Sequence, residues 1–138
     1  MLARTLIAAS SAIMLLLGAV HLLYTFWGNK LAPRDPAVQA AMNATQLVLT
    51  SETTVWRAWT GFNASHSLYA AFFGLMFGFF AIAQPELLVR STYLQLLGFA
   101  VLLSFVVLAR LYWFSVPLAG VSLALGCYLA GLVVARLR

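Results

Sequence analysis

Acids, cysteine and charge of either sign are scarce in this chain. Its 138 residues hold three carboxylates, Asp35, Glu52 and Glu86, against eight lysines and arginines. Only 8% of positions are charged, where a soluble globular domain carries about a quarter. None of the three acids falls within the long apolar runs, so an exchanger built round a membrane-embedded carboxylate has no proton carrier here. The single cysteine, Cys127, excludes an intrachain disulfide, a CxxC motif and a thiolate metal centre, and as a small residue inside an apolar run it reads as packing. The basic residues stand singly at the ends of apolar runs and form no stripe, which argues against nucleic acid as a partner.

What the chain has instead is apolar surface, 64% of its residues. A soluble fold this small has too little interior to hide it, so lipid is the implied solvent. Four apolar runs, residues 5–27, 56–83, 92–109 and 116–135, are each long enough to cross a hydrocarbon core of ~30 Å at ~1.5 Å per residue. Backbone polar groups cannot stay bare in hydrocarbon, so the runs are expected to be helices. Arg4 ahead of an apolar stretch resembles the start of a signal peptide. The stretch is too long for one and no small-x-small cleavage site follows, so it is expected to be a retained span. The expected fold is all-α, a single domain formed by an antiparallel bundle of four transmembrane helices.

Only the first connection, residues 28–55, is long. Asp35 followed by Pro36 has the form of an N-cap and first helical residue, and Val38, Ala41, Met42, Thr45 and Leu49 recur at helical spacing opposite Gln39, Asn43 and Gln46. This pattern predicts a short amphipathic helix over 35–49, lying over one mouth of the bundle; an ordered loop is the alternative. Charge does not fix the orientation. Arg4, Arg90, Arg136 and Arg138 mark one side and Lys30, Arg34, Arg57 and Arg110 the other, and cytoplasmic termini are the preferred reading.

Both histidines lie in spans. His21 is six residues before the end of the first, and His66 about six past the hydrocarbon start of the second, so each is ~9 Å inside, at one depth. Ser11, Met14, Gly18, His21 and Thr25 form one inward seam, and Trp59, Asn63, His66, Ala70, Gly74 and Gly78 another. Arg57, Trp56, Arg110, Tyr112 and Trp113 gather at the same end. The opposite end, around Ala8, Phe80, Leu97 and Leu129, reads as almost wholly apolar, so any site is expected at the loop end. A pocket formed by His21, Arg57, Trp59, Asn63, His66 and Arg110 would suit an amphipathic ligand such as a quinone or a lipid.

Other readings stay open. The histidines are also explained as neutral packing groups bonded across helices, or as paired axial ligands of a b-type haem. A non-haem metal lacks a third ligand, and Ser65 and Ser67 lack an acid to complete a hydrolytic triad. On the last span Gly120, Ala124, Cys127 and Gly131 form one small-residue seam and Ala119, Ser122, Gly126 and Ala130 a second. One can face the bundle; the other suits a homo-oligomer or a larger membrane complex, in which the protein would be a non-catalytic accessory subunit.

The run Gly18-Ala19-Val20-His21-Leu22, in a four-span chain, resembles the DoxX-like membrane proteins, which implies a link to redox and quinone systems. The stretch Trp56-Arg57-Ala58-Trp59-Thr60-Gly61-Phe62-Asn63-Ala64-Ser65-His66-Ser67 is similar to a segment of small bacterial four-helix membrane proteins, a likeness that implies no activity. Arginine over lysine and much alanine and leucine suit a GC-rich bacterium, hence the inner membrane.

Overall fold

The computed structural model describes residues 1–137. Its elements are α1 (Leu2–Phe26), α2 (Pro36–Ala44), β1 (Gln46–Leu47), β2 (Thr50–Thr54), α3 (Val55–Ala83), α4 (Pro85–Arg90), α5 (Thr92–Tyr112) and α6 (Ser115–Arg136). Apart from the small hairpin the fold is all-α, and α1, α3, α5 and α6 are the four apolar runs within a few residues. Each is long and apolar enough to cross a membrane, and only 22–33% of each apolar window is buried. The rest, including Phe62, Ile82 and Tyr93, points outward. Such a surface is tolerable in lipid and not in water, and the chain is that of a multi-pass membrane protein. It divides into two compact units, one of Met1–Leu17 with the chain from Ala70 onward, the other Gly18–Tyr69.

In the first unit the four long helices close a ring of antiparallel neighbours. The backbone of α3 at Gly74 lies against Ser11 and Leu15 of α1, and that of α6 meets Leu17 at Gly120 and Ile7 at Gly131. Rising numbers on one helix meet falling numbers on the other, which is the antiparallel signature. Gly98 of α5 sits against Phe77 of α3 and Tyr128 of α6 and completes the ring. These are small-residue contacts, the means by which helices approach when burial from lipid supplies little drive. The core between them is Ile7, Met14, Phe73, Phe77, Leu102, Phe105, Val121 and Tyr128. Phe73 stacks on Phe77 at 4.4 Å, and Phe77 meets Tyr128 edge-on at 5.8 Å.

The end of this unit expected to be almost wholly apolar also holds a buried polar network. Gln95, 7% exposed, donates its amide to the carbonyls of Leu88 and Val89 in α4 and accepts from Arg136 at 3.0 Å. Tyr128, fully buried, donates to the Gln95 carbonyl at 3.1 Å. The apolar neighbours of Gln95 and Tyr128 in sequence obscured a network whose members stand far apart along the chain. Likewise the connection from Pro85 is a short helix rather than plain loop, begun by Pro85 and followed by Ser91, which accepts from the Leu94 N–H at the start of α5.

In the second unit α1 ends at Phe26, and two residues on Gly28 takes φ +85°, a left-handed conformation that glycine adopts without strain. Asp35 caps α2 by accepting from the Ala37 N–H at 2.8 Å, as the Asp-Pro pair predicts. The helix stops at Ala44, however, and the expected continuation through Thr45 and Leu49 is replaced by an antiparallel hairpin. The reason is legible: Thr50, Thr53, Thr54 and Val55 are β-branched and favour extended backbone over helix. Thr54 then accepts from the Arg57 N–H and caps α3. The expected faces of α2 hold in part: Met42 is half-buried and Asn43 exposed as expected, but Val38 and Ala41 are exposed and Gln39 is half-buried.

The close approaches give a stability prediction. A Cβ at Gly74 would lie 2.6 Å from the Ser11 carbonyl oxygen, a backbone atom that cannot swing aside, whereas one at Gly126 meets nothing within 4 Å. Gly74→Ala is expected to cost about 1–3 kcal/mol. Gly126→Ala is expected to be neutral or slightly stabilising through helix propensity. Thermal unfolding of the two variants in detergent measures the contrast.

Candidate functional site

The second unit holds both histidines. α1 carries His21 and α3 carries His66, and their rings meet edge to face, centroids 5.3 Å apart and planes at 68°. The equal depth expected from counting residues is thus realised as contact. Both are half-buried. Asn63, one turn before His66, fixes the arrangement. Its amide Nδ2 donates to the Trp59 carbonyl at 2.8 Å, which turns Oδ1 toward His21. His21 Nε2 lies 2.9 Å from that oxygen, and since a carbonyl oxygen can only accept, the ring nitrogen must carry the proton. A neutral His21 is therefore the Nε2–H tautomer, with Nδ1 left as an acceptor.

The surrounding hydroxyls are turned to their own helices. Thr25 donates to the His21 carbonyl at 2.8 Å, Thr60 to Trp56 at 3.0 Å, and the fully buried Ser67 to Asn63 at 2.7 Å. Ser65 donates to Phe62 and is exposed. Side-chain polarity inside an apolar span is in this way satisfied without water.

Beside the imidazole pair lies a cleft of about 100 Å³, walled by Tyr24 and Thr25 of α1, Leu31 and Ala32 of the loop, Gln39 of α2, and Trp56, Trp59, Thr60 and Asn63 of α3. Trp59 Nε1 donates to the Leu31 carbonyl at 3.0 Å and so ties the loop across the cleft. Asn63 belongs to both structures, lining the cleft while accepting from His21. Gln39 brings a polar amide to the cleft from α2, a residue that helical spacing had put on the wrong face.

Of the six residues singled out by sequence, His21, Trp59, Asn63 and His66 come together. Arg57 is on α3 but exposed, and it does not line the cleft. Arg110 belongs to the other unit, in the last turn of α5, and is exposed, as is Tyr112. Sequence reasoning missed Tyr24, Gln39 and the Trp59–Leu31 tie, for which only the weak polarity of α2 offered a signal.

The residues do not fit a bis-histidine haem. Two imidazoles in edge-to-face contact leave no slot for a macrocycle, and Nε2 of His21 is already committed to Asn63. Among the described residues no three His, Cys, Asp or Glu side chains converge in a way that could hold a metal ion. What the arrangement can do is hydrogen-bond a small polar group held against indole and phenol faces.

Removing the Asn63 amide tests the geometry directly. Asn63→Leu strands the His21 N–H and is expected to cost about 1–3 kcal/mol in thermal unfolding. In wild-type protein, nitrogen NMR of labelled histidine is expected to show the Nε2–H tautomer for His21; the Nδ1–H form would contradict the assignment. No protein-family model, no curated protein and no solved structure matches this chain.

Proposed function

We propose that this protein binds the polar head of an amphipathic membrane molecule, a quinone or a lipid, in the cleft beside His21, Asn63 and His66. The observation that carries this reading is the shared position of Asn63, which joins a half-buried imidazole pair to a polar, aromatic-walled opening. At about 100 Å³ the cleft is smaller than the ~300–1,000 Å³ usual for a whole drug-sized ligand. It suits a headgroup or ring whose apolar tail stays in lipid. Trp56 and Trp59 offer flat faces, Gln39 and Thr60 offer hydrogen bonds, and the loop held by the Trp59–Leu31 tie, with α2, acts as a partial cover. The likeness of residues 18–22 to the DoxX-like proteins points the same way, toward a quinone. On this reading the protein sits in a bacterial inner membrane with cytoplasmic termini, and no reaction is assigned to it.

A second reading is favoured by one observation on α6. Ala119, Ser122, Gly126 and Ala130 are all exposed, and space is open at Gly126, whereas Ala124 and Gly131 of the other seam are buried in the bundle. An open small-residue face suits a partner helix, so the protein would serve as a subunit of a homo-oligomer or a larger membrane complex.

Trp56 and Trp59 provide the readout for the first reading. Titration of the purified protein with a short-chain quinone is expected to quench tryptophan fluorescence saturably, with Asn63→Leu and Gln39→Ala each weakening the apparent affinity about tenfold, the worth of one good hydrogen bond. Equal, unsaturable quenching in wild type and variants, together with the same outcome for a short-chain phospholipid, rejects the cleft as a binding site.

A further inference from the structure

A second and larger cavity lies elsewhere, in the first unit beside α4, with a volume of about 710 Å³. Its walls are mostly apolar, with Ala3 and Ile7 from α1, Ala81 from α3 and Leu88 from α4; Arg4, Arg90 and Glu86 stand among them. The size lies within the range of true ligand sites, ~300–1,000 Å³. The wall formed by α4 is held firmly. Buried Gln95 bonds to the Leu88 and Val89 carbonyls, and Arg136 braces Gln95 from behind. A buried amide thus fixes the position of α4, which forms one wall of the cavity.

The charges select the occupant. Glu86 lies 3.6 Å from Arg90 and offsets it in part, but Arg4 has no carboxylate partner among the described residues, and Arg136 adds a further positive charge behind the wall. An apolar chamber opening beside a net positive cluster at the helix ends matches a molecule with a singly negative head and an apolar chain. We propose that this cavity holds an anionic phospholipid, with the phosphate at Arg4 and Arg90 and an acyl chain along Ala3, Ile7, Ala81 and Leu88. A zwitterionic lipid brings its own cation and gains less from the arginines; a neutral quinone gains nothing from them. The site is independent of the histidine cleft.

Native mass spectrometry of the full chain in detergent, titrated with palmitoyl-oleoyl phosphatidylglycerol or phosphatidylcholine, tests the proposal. One phosphatidylglycerol is expected to be retained per chain, about tenfold more tightly than phosphatidylcholine. Arg4→Gln and Arg90→Gln are each expected to weaken it about fivefold, and Glu86→Gln to strengthen it, because the carboxylate opposes the phosphate. Ala135→Phe, which fills the chamber from α6 without touching a charge, is expected to weaken it too and serves if an arginine variant fails to fold. Arg34→Gln, on the loop, is expected to change nothing. Equal affinity for the two lipids, equal weakening by Arg34→Gln, or full displacement by soluble glycerol phosphate would each overturn the proposal, the last by showing that the head alone is bound.

Discussion

A backbone surrounded by hydrocarbon must bond to itself, and in this protein most hydroxyl side chains of the spans that pair do so in the same way, the buried Ser10 being left without a partner among the described residues. Ser11, Thr25, Thr60 and Ser67 each return a hydroxyl proton to the carbonyl one turn earlier on their own helix. Polarity spent within a helix cannot hold two helices together. The ring of spans is therefore fastened by close backbone approach at Gly74, Gly98 and Gly131, where a missing side chain admits the neighbour. Dispersion between packed surfaces supplies the attraction that water would otherwise drive.

Among the described residues two amide-centred groups bond between segments instead, beside the Trp59–Leu31 tie: Asn63 with His21, and Gln95 with Arg136, Tyr128 and the carbonyls of α4. Each centres on an amide, and each adjoins an opening, the histidine cleft in one unit and the large cavity, through Leu88 and Val89, in the other. An amide is suited to this place because it is neutral and offers donors and an acceptor at once. It can tie a structure and border a site without carrying a charge into the membrane.

The spans were legible because their signal is long and cumulative: some twenty apolar residues in succession admit one reading. The pairing of His21 with His66 was legible from arithmetic alone, since two helices of opposite direction put equal residue counts at equal depth. The region 45–54 was misread because Thr45 and Leu49 fit a helical face while the run of threonines beside them weighs toward a strand. Gln95 was overlooked for a different reason. A single polar residue in an apolar run has no periodicity, and its partners, Leu88, Val89 and Arg136, are joined to it only by the fold. Cavities are similarly invisible, being properties of what several helices leave unfilled.

The contact of α6 with α1 at Leu17 and Ile7 has a bearing on how the protein is made. Of the four spans α1 is synthesised before the others and α6 after them, yet these two are neighbours. Until the last span arrives, the face of α1 carrying Ala3, Ile7 and Leu17 is open to lipid or to an insertion factor, and the growing chain is a three-helix intermediate with one side unzipped. The ring of these four spans closes only when α6 joins it, so without α6 the other three form an open sheath of helices rather than a closed bundle.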